Sequence, residues 1–237
     1  MTSPAEGRLP SVGVLGGTFD PVHAGHLHAA EEALRVFALP RVLLIPCATP
    51  PHKSRPDVTP AEHRLAMLRR AVEGREGLEV STIEIVRGGV SFTLDTLRSL
   101  ASGPAPVRPI LILGMDALRE LGTWYRHGDL LREFDLIAVD RPPGRAAAEE
   151  RAAGELPPEL MAHAVAVPCE AGAGAAADGG RAATGGRIYR VAIPPLPVSS
   201  SRVRTLAAAG ENLAGLVPAA VARYIQDQGL YRKEARR

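Results

Sequence analysis

Three histidines lie close together near the amino terminus, in the stretch GGTFDPVHAGHLHAA (residues 16–30). They follow a short apolar run and stand where a helical pattern begins. Three interpretations are open for this stretch: a metal site, a site for phosphate groups, or a tight turn whose histidines have no chemical role. Each interpretation makes a different demand on the neighbouring residues.

A metal site is the least favoured interpretation. A tightly held metal needs three or more converging ligands, whereas His23 and His26 supply two and His28 is expected to point elsewhere on the helix. Cys47 and Cys169 are isolated thiols without the spacing of a zinc site or of a disulfide framework. We therefore predict no protein metal ligand in this region.

A phosphate site accounts for most of the stretch. Glycines after a strand let the backbone approach a polyphosphate closely, and the first N–H groups of the following helix favour negative charge. Histidines placed there can donate hydrogen bonds to phosphate oxygens, and Gly25 leaves room for the ligand between them. A plain turn would explain Gly16, Gly17 and Pro21, but not histidines in the first helical turn. The residues therefore predict an anion site.

Apolar runs alternate with helical patterns along the chain, which indicates parallel strands joined by crossover helices. This alternation predicts an α/β fold with a Rossmann-like open parallel sheet and helices on both faces. Such sheets bind ligands at the carboxyl ends of their strands, where the chain order reverses. The predicted strands are residues 11–16, 41–47, 78–86, 108–114, 135–140 and 187–195.

Several helix starts carry recognisable signals. Thr59 and Glu62 have the spacing of a capping box around Pro60, and Thr93 is placed to cap a short helix over residues 93–100. The helix that follows VSSSRVR (198–204) can be capped by any of three serines, and Pro218 precedes the last helix. A capped start exposes N–H donors that favour an anion.

The 237 residues are expected to form one domain. The net charge of +2 is small and the arginines are scattered, which argues against a nucleic-acid partner. No leader-like start and no apolar run near the roughly 18 residues of a membrane span is present, so we predict a cytoplasmic protein without a membrane partner. Residues from about 145 to 186 are predicted to be a flexible low-complexity insertion, partly ordered around LPPELMAHAVAVP (156–168).

The motifs together resemble a known family. GGTFDPVHAGHL matches the nucleotidyltransferase pattern of Gly-Thr-Phe, proline and His-x-Gly-His, and VSSSRVR is similar to its partner motif Ile-Ser-Ser-Thr-x-x-Arg. Ser201 stands where threonine is usual and Phe92 where tyrosine is frequent. The further motifs occur in the order of the bacterial nicotinate-nucleotide adenylyltransferases: PPHK (50–53), GGVSFTLDTL (88–97), GMDALRELGTWYR (114–126) and DLIAVDRPPG (135–144).

The resemblance, which covers most of the chain outside residues 145–186, implies a reaction in NAD biosynthesis. The adenylyl group of ATP would pass to nicotinate mononucleotide, giving nicotinate adenine dinucleotide and pyrophosphate, with Mg²⁺ carried in by the ATP phosphates. Because the acceptor brings its own phosphate nucleophile, no activated serine or cysteine is needed. Other acceptors such as nicotinamide mononucleotide or phosphopantetheine, a nucleotide sensor without turnover, and an interaction module built on the insertion stay open, as does a homo-oligomer.

The resemblance also implies roles for particular residues. Lys53 would reach a phosphate as a compact charge, and Arg204 would meet a phosphate at the start of its helix. Trp124 would stack on the pyridine ring, and helix N–H groups near Thr93 would favour a carboxylate over a carboxamide. Asp116 would accept from ribose hydroxyls, whereas Asp20 is interpreted as a turn former and Asp95 as a residue that orients the Thr93 loop. The implied sets are His23 and His26 for catalysis; Gly16, Gly17, Thr18, Phe19, Lys53, Gly114, Asp116, Ser200, Ser201 and Arg204 for ATP; and Thr93, Trp124 and Arg141 for nicotinate mononucleotide.

Overall fold

The computed structural model describes residues 9–49, 58–140, 158–167, 186–194 and 196–232. Its strands are β1 (Ser11–Gly17), β2 (Val42–Pro46), β3 (Leu78–Val80), β4 (Arg108–Gly114), β5 (Asp135–Asp140), β6 (Ala164–Val167) and β7 (Ile188–Ala192). Its helices are α1 (Ala24–Val36), α2 (Ala61–Val72), α3 (Ile83–Arg87), α4 (Thr93–Ser102), α5 (Met115–Arg119), α6 (His127–Glu133), α7 (Pro158–Met161), α8 (Ser200–Ala208) and α9 (Ala219–Asp227), with a 3-10 turn at Leu121–Thr123.

The seven described strands form one parallel sheet in the order β3-β2-β1-β4-β5-β7-β6. The chain leaves β1 toward β2 and β3, and then crosses back to β4 on the other side of β1. The strand order therefore reverses between β1 and β4. Connections diverge at such a point and leave a crevice beyond the carboxyl ends of the two strands.

Apolar residues cover both faces of the sheet. Along β4, Ile110 and Ile112 pack in one buried cluster with α1, α2, α8 and α9, whereas Leu111 and Leu113 pack in another with α4, α5 and α6. This division follows from the strand, in which successive side chains point to opposite faces. The predicted Rossmann-like α/β fold with helices on both faces is confirmed. In the described part of the chain, no helix has the length and apolar character needed to span a bilayer.

One predicted strand differs from the structure. The strand expected at 78–86 is wrong beyond Val80, because the IEIV run forms α3, which ends at Gly88 with a left-handed φ of 69°. A short apolar run is compatible with both a helix and a strand. Because β3 has only three residues, the sequence pattern does not show where the strand ends and the helix begins.

The segment 156–168, predicted to be partly ordered within the range 145–186, contains α7 and β6, and β6 pairs in parallel with β7 at the edge of the sheet. Within that range, residues 145–157 and 168–185 lie outside the described residues.

The sequence predicted a side-chain cap at three helix starts, and the structure has such a cap at one of them. The capping box predicted from Thr59 is wrong: Pro60 is the cap residue, and no side chain caps α2. Thr93 is likewise not a cap, because it is the first residue of α4 and Phe92 precedes it without a side-chain cap bond. At α8, Ser199 is the cap, and its Oγ accepts from the backbone N–H of Arg202 at 3.2 Å.

Gly13 in β1 is a position where the core admits no further carbon. A Cβ there would lie 2.8 Å from Val42 Cγ2, 2.9 Å from Ile112 Cδ1 and 3.0 Å from Leu39 Cδ1. We expect Gly13→Ala to lower the free energy of unfolding by about 1–3 kcal/mol, because three buried side chains must shift. Urea denaturation measures the loss.

Gly128→Ala is the matched control for this prediction, since a Cβ at Gly128 in α6 would meet no atom within 4 Å. We expect it to be neutral or slightly stabilising, because alanine is the better helix former. A Gly13→Ala protein as stable as Gly128→Ala would contradict the close packing between β1 and its neighbours.

Candidate active site

The turn between β1 and α1 brings two imidazole rings together. His23 precedes α1 in extended conformation, and its backbone N–H donates to Nδ1 of His26 at 3.2 Å. The two rings stack with their centroids 3.7 Å apart and an interplanar angle of 22°. Because Nδ1 of His26 accepts a hydrogen bond, the proton of the neutral ring lies on Nε2. The helix start therefore fixes His26 as a donor through Nε2.

The two histidines differ in accessibility. His26 lines a cavity beside the turn, whereas the His23 side chain is only 4% exposed. Phe19 supports His26 from behind: its ring meets the His26 ring edge-on at 5.0 Å and is 1% exposed. The structure thus places Phe19, which the resemblance assigns to ATP, under the His26 ring and not among the residues that line the cavity.

A cavity of about 490 Å³ lies at the carboxyl ends of β1, β2, β4 and β5. A side-chain carbon on Gly16 or Gly114 would meet no atom within 4 Å, so the backbone there faces open space. The sequence predicted this location, at the point where the strand order reverses. Seven of the predicted residues line the cavity: Gly16, Gly17, Thr18, His26, Thr93, Gly114 and Trp124.

The far end of the cavity joins a helix start to aromatic rings. Ser91, Phe92 and Thr93 line it where α4 begins, and no side chain caps that helix. Trp124 and Tyr125 line the same end, and the Tyr125 ring lies 4.4 Å from the Phe92 ring. First-turn N–H groups without a cap attract an anion. This end of the cavity therefore suits an aromatic group that carries a carboxylate.

A buried carboxylate lies under this end and was not predicted from the sequence. Glu84 lines the cavity, is 7% exposed, and accepts from Thr96 Oγ1 at 2.6 Å. Arg87 Nη2 donates to the same hydroxyl oxygen at 2.9 Å. These bonds join α3 to α4 and so support the turn that carries Thr93. Because the sequence predicted a strand over these residues, it gave no signal that Glu84 would face the cavity.

The thiol of Cys47 forms part of the wall at the end of β2. Burial raises the pKa of the Cys47 thiol above its ordinary value, although Arg64 nearby acts in the opposite direction. The protonated thiol therefore dominates near neutral pH, and Cys47 contributes a neutral surface with little polarity.

Arg64 of α2 is a second residue that the sequence did not single out. Its side chain is 2% exposed, and its guanidinium donates to three backbone carbonyls: Thr59 at 2.9 Å, Thr18 at 2.8 Å and Ala48 at 3.2 Å. These acceptors belong to the segments that follow β1 and β2 and to the one that precedes α2. Arg64 therefore holds three segments around the cavity in a fixed arrangement.

The carboxyl-terminal part of the chain reaches the same turn. Arg204 Nη1 donates to the backbone carbonyl of Asp20 at 2.6 Å, and Arg204 Nη2 donates to Ser201 Oγ at 3.2 Å. Ser200 Oγ donates to the carbonyl of Pro21 at 3.0 Å. Residues 184 positions apart are thus joined at the turn that carries the histidines. The guanidinium of Arg204 thus reaches the turn that carries His23 and His26. Ser200, Ser201 and Arg204 are not among the residues that line the cavity, so their assignment to ATP stays a prediction.

Asp20 has more partners than a turn former requires. Tyr231 Oη donates to its Oδ1 at 2.8 Å, and the backbone N–H of Thr59 donates to its Oδ2 at 3.3 Å. Asp116, by contrast, is 99% exposed at its side chain and pairs with Arg119 at 3.0 Å, so its carboxylate lies away from the cavity wall. Lys53 and Arg141 lie outside the described residues. Within the described residues, no three His, Cys, Asp or Glu side chains form a group that could hold a metal ion.

Comparison with known proteins decides the family. The family model described as "Cytidylyltransferase-like" matches residues 14–206, a range that includes both the histidine turn and Arg204. A protein of Symbiobacterium thermophilum named "Probable nicotinate-nucleotide adenylyltransferase" is 40% identical over 94% of this chain and 96% of its own. The chain belongs to the nicotinate-nucleotide adenylyltransferase family. A member from Pseudomonas syringae pv. tomato with the same name is 41% identical over 93% of each chain.

The fold of this nicotinate-nucleotide adenylyltransferase family member is also found among solved structures. The nicotinic acid mononucleotide adenylyltransferase of Plasmodium falciparum, complexed with NaAD, superposes with a TM-score of 0.67. The alignment covers 94% of this chain and 97% of the other at 17% identity. At that identity the likeness establishes a shared fold.

Proposed function

We propose that this chain transfers the adenylyl group of ATP to nicotinate mononucleotide, forming nicotinate adenine dinucleotide and pyrophosphate. One observation carries the proposal: Arg204 donates to the carbonyl of Asp20 in the same short turn that presents His26 to a cavity at the strand-order reversal. The family membership supports the same reaction, since the relatives carry that name.

The reaction needs positioned cations and donors more than an activated nucleophile. An oxygen of the acceptor phosphate forms a bond to the α-phosphorus of ATP, and the bond from that phosphorus to the bridging oxygen of pyrophosphate breaks. The electron pair leaves with pyrophosphate, so no protein group needs to be modified. Holding two polyanions in line and stabilising the charge at the α-phosphorus supplies most of the acceleration.

His26 is the residue best placed to stabilise that charge. Its Nε2–H is oriented by the bond that Nδ1 accepts from His23, and its ring is held between the rings of His23 and Phe19. His23, the buried ring of the stacked pair, is proposed to take part in catalysis together with His26. Gly16 has no side chain and faces open space, so the phosphates can approach the backbone closely there, and the dipole of α1 favours their negative charge.

The leaving pyrophosphate is assigned to the start of α8. A guanidinium has five N–H donors, and the contacts with Asp20 and Ser201 engage two of its nitrogens, so Arg204 retains donors for β- and γ-phosphate oxygens. Ser200 and Ser201 lie in the first turn of α8, where the helix dipole favours an anion. Lys53 is proposed to add a point charge from its loop.

The acceptor is assigned to the end of the cavity between Thr93 and Trp124. The N–H groups at the uncapped start of α4 suit the nicotinate carboxylate, whereas a carboxamide would present its own N–H groups to them. Trp124 is proposed to stack on the pyridine ring, and Arg141 to contact the mononucleotide. The assignment of Asp116 to a ribose hydroxyl rests on the family resemblance alone, because its exposed carboxylate pairs with Arg119 and does not line the cavity.

Mg²⁺ is proposed to enter with ATP. Magnesium commonly takes one or two carboxylates together with substrate phosphates and water. Both carboxylate oxygens of Asp20, the acidic residue of the histidine turn, already accept hydrogen bonds from Tyr231 and Thr59. That donor set fits a metal held mainly by phosphates, which would neutralise part of their charge. The single domain, the cytoplasmic location and any homo-oligomer stay predictions.

A panel of acceptors tests the proposed reaction. Pyrophosphate release from ATP is followed with nicotinate mononucleotide, nicotinamide mononucleotide, phosphopantetheine or no acceptor, and the product is identified by mass spectrometry. We expect kcat/KM for nicotinate mononucleotide to exceed that for the amide by about 10- to 100-fold, since hydrogen bonds to a charged group contribute roughly 1.5–3 kcal/mol.

Three outcomes would contradict the proposal. Equal or faster reaction with the amide would assign the chain to the other mononucleotide, and release with phosphopantetheine would assign it to another acceptor. Tight ATP binding without pyrophosphate release for any acceptor would favour a nucleotide sensor.

A further inference from the structure

The carboxylate of Asp20 is held by segments that are distant in sequence. Asp20 is 6% exposed; Tyr231 Oη donates to Oδ1 at 2.8 Å, and the backbone N–H of Thr59 donates to Oδ2 at 3.3 Å. The main-chain carbonyl of the same residue accepts from Arg204 Nη1 at 2.6 Å. Asp20 therefore connects three segments by hydrogen bonds: Tyr231 after α9, Thr59 before α2, and Arg204 in α8.

We propose that Tyr231 is a positioning residue for the adenylyl transfer proposed above: its hydroxyl fixes Asp20, and the carbonyl of Asp20 in turn fixes the guanidinium of Arg204. The proposal rests on that function. Tyr231 itself touches neither His26 nor Arg204 in any hydrogen bond described above, so its effect must pass through the turn.

The backbone after α9 places the hydroxyl of Tyr231 next to Asp20. Gly229 with a φ of 60° and Tyr231 with a φ of 66° both adopt left-handed backbone conformations after the helix. Glycine adopts this region readily, but a tyrosine does so uncommonly, and such a residue is held there by its surroundings. The bond to Asp20, a contact of the hydroxyl with the Thr59 side chain and packing against the core hold the Tyr231 ring in this position.

The hydroxyl stays protonated over the working range of pH. Burial, and next the negative charge of Asp20, raise the pKa of Tyr231 well above its ordinary value. The hydroxyl therefore donates to Asp20 at neutral and moderately alkaline pH.

The consequence of losing this donor is a less precise turn. Two other bonds hold the turn, from Ser200 Oγ to the carbonyl of Pro21 and from the Ala24 N–H to the carbonyl of Leu216 at 2.8 Å. The turn should therefore remain folded when Tyr231 loses its hydroxyl, while Asp20 and Arg204 gain freedom. A displacement of about 1 Å in a group that positions substrate can lower a rate by roughly 10²-fold.

Tyr231→Phe tests the proposal, with Tyr224→Phe as its matched control. Tyr224 lies in α9, and its hydroxyl makes a hydrogen bond of 2.9 Å with His63 Nδ1, away from the histidine turn. We expect Tyr231→Phe to lower kcat by about 10- to 100-fold, to weaken ATP binding, and to leave the KM for the mononucleotide within about twofold of the wild-type value. Tyr224→Phe should leave all three unchanged.

A double-mutant cycle tests the route through Asp20. If Tyr231 acts through that carboxylate, Tyr231→Phe should have no further effect on kcat in an Asp20→Ala background. Urea denaturation of all variants separates lost activity from lost folding, because a loss of activity counts only in variants whose unfolding midpoints match that of the wild type. A Tyr231→Phe protein as active as Tyr224→Phe would overturn the proposal, and so would additive losses in the double variant.

The test stays informative if the proposed function fails. Should the wild-type chain release no pyrophosphate with any acceptor, calorimetric titration with ATP alone still compares the two phenylalanine variants. Weaker binding by Tyr231→Phe than by Tyr224→Phe would support the positioning of Arg204 by the carboxyl-terminal tyrosine. Equal affinities would overturn it.

Discussion

Replacing His26 with alanine is expected to lower kcat for dinucleotide synthesis by about 10²–10³-fold, the usual cost of losing one oriented donor at a developing negative charge. The Nε2–H of His26 is that donor, because the bond from the His23 N–H to Nδ1 fixes the tautomer. Pyrophosphate release at saturating ATP and nicotinate mononucleotide measures the change. Since the same substitution removes the acceptor for the His23 N–H, we also expect a stability loss of about 1 kcal/mol.

His28→Ala is the control for His26→Ala. His28 lies in the same helix two residues later, and in the part of the chain that the structure describes its buried Nε2 has no hydrogen-bond partner. We expect its kcat to stay close to the wild-type value. Near-normal synthesis by a folded His26→Ala protein would contradict the role of His26, and an equal loss in both variants would assign the effect to the helix.

The second large effect is expected at Arg64, where replacement by methionine should lower the free energy of unfolding by about 3–5 kcal/mol. The substitution removes the donors for the carbonyls of Thr18, Ala48 and Thr59 at a residue that is only 2% exposed. Partly buried acceptors that lose their partners are costly. Urea denaturation measures the loss, and pyrophosphate release should fall as well because Thr18 lines the cavity.

Arg70→Met is the matched control for Arg64→Met. Arg70 lies in the same helix, donates to the carbonyl of Ala66 at 3.0 Å, and has its guanidinium 4.3 Å from the centre of the Tyr224 ring at an exposed site. We expect its loss to cost no more than about 1 kcal/mol. Arg64→Lys should be intermediate, because it keeps the charge but cannot span three acceptors. If Arg64→Met were no less stable than Arg70→Met, the three segments would be held by other contacts.

Local patterns in the sequence were sufficient to predict the strands and the turn that carry the candidate site. The apolar runs of β1, β2, β4, β5 and β7 fall where the structure has strands, and the glycines and histidines after β1 fall at the cavity. These features are local: a buried strand must be apolar throughout, and a helix start that faces an anion needs donors and small residues. The order of the motifs was also sufficient to indicate the family.

Tertiary structure decided the residues whose partners are far away in the chain. Asp20 and Tyr231 are 211 positions apart, and Asp20 was interpreted from its neighbours as a turn former. Arg64 stood unremarked in a chain rich in arginine, although its burial makes it a support of the cavity. Glu84 faces the cavity only because α3 replaces a predicted strand.

The physical reason for this division is the range of the interactions. Helical period, strand apolarity and turn glycines follow from neighbours within a few residues, so the sequence by itself determined the α/β order and the position of the histidine turn and of the Arg204 motif. Whether a charged side chain is buried, and which carbonyl it contacts, depends on the packing of segments that meet only in the folded sheet. The tertiary structure alone therefore decided that Asp20 accepts a hydrogen bond from Tyr231, 211 positions away, and that Asp116 lies exposed.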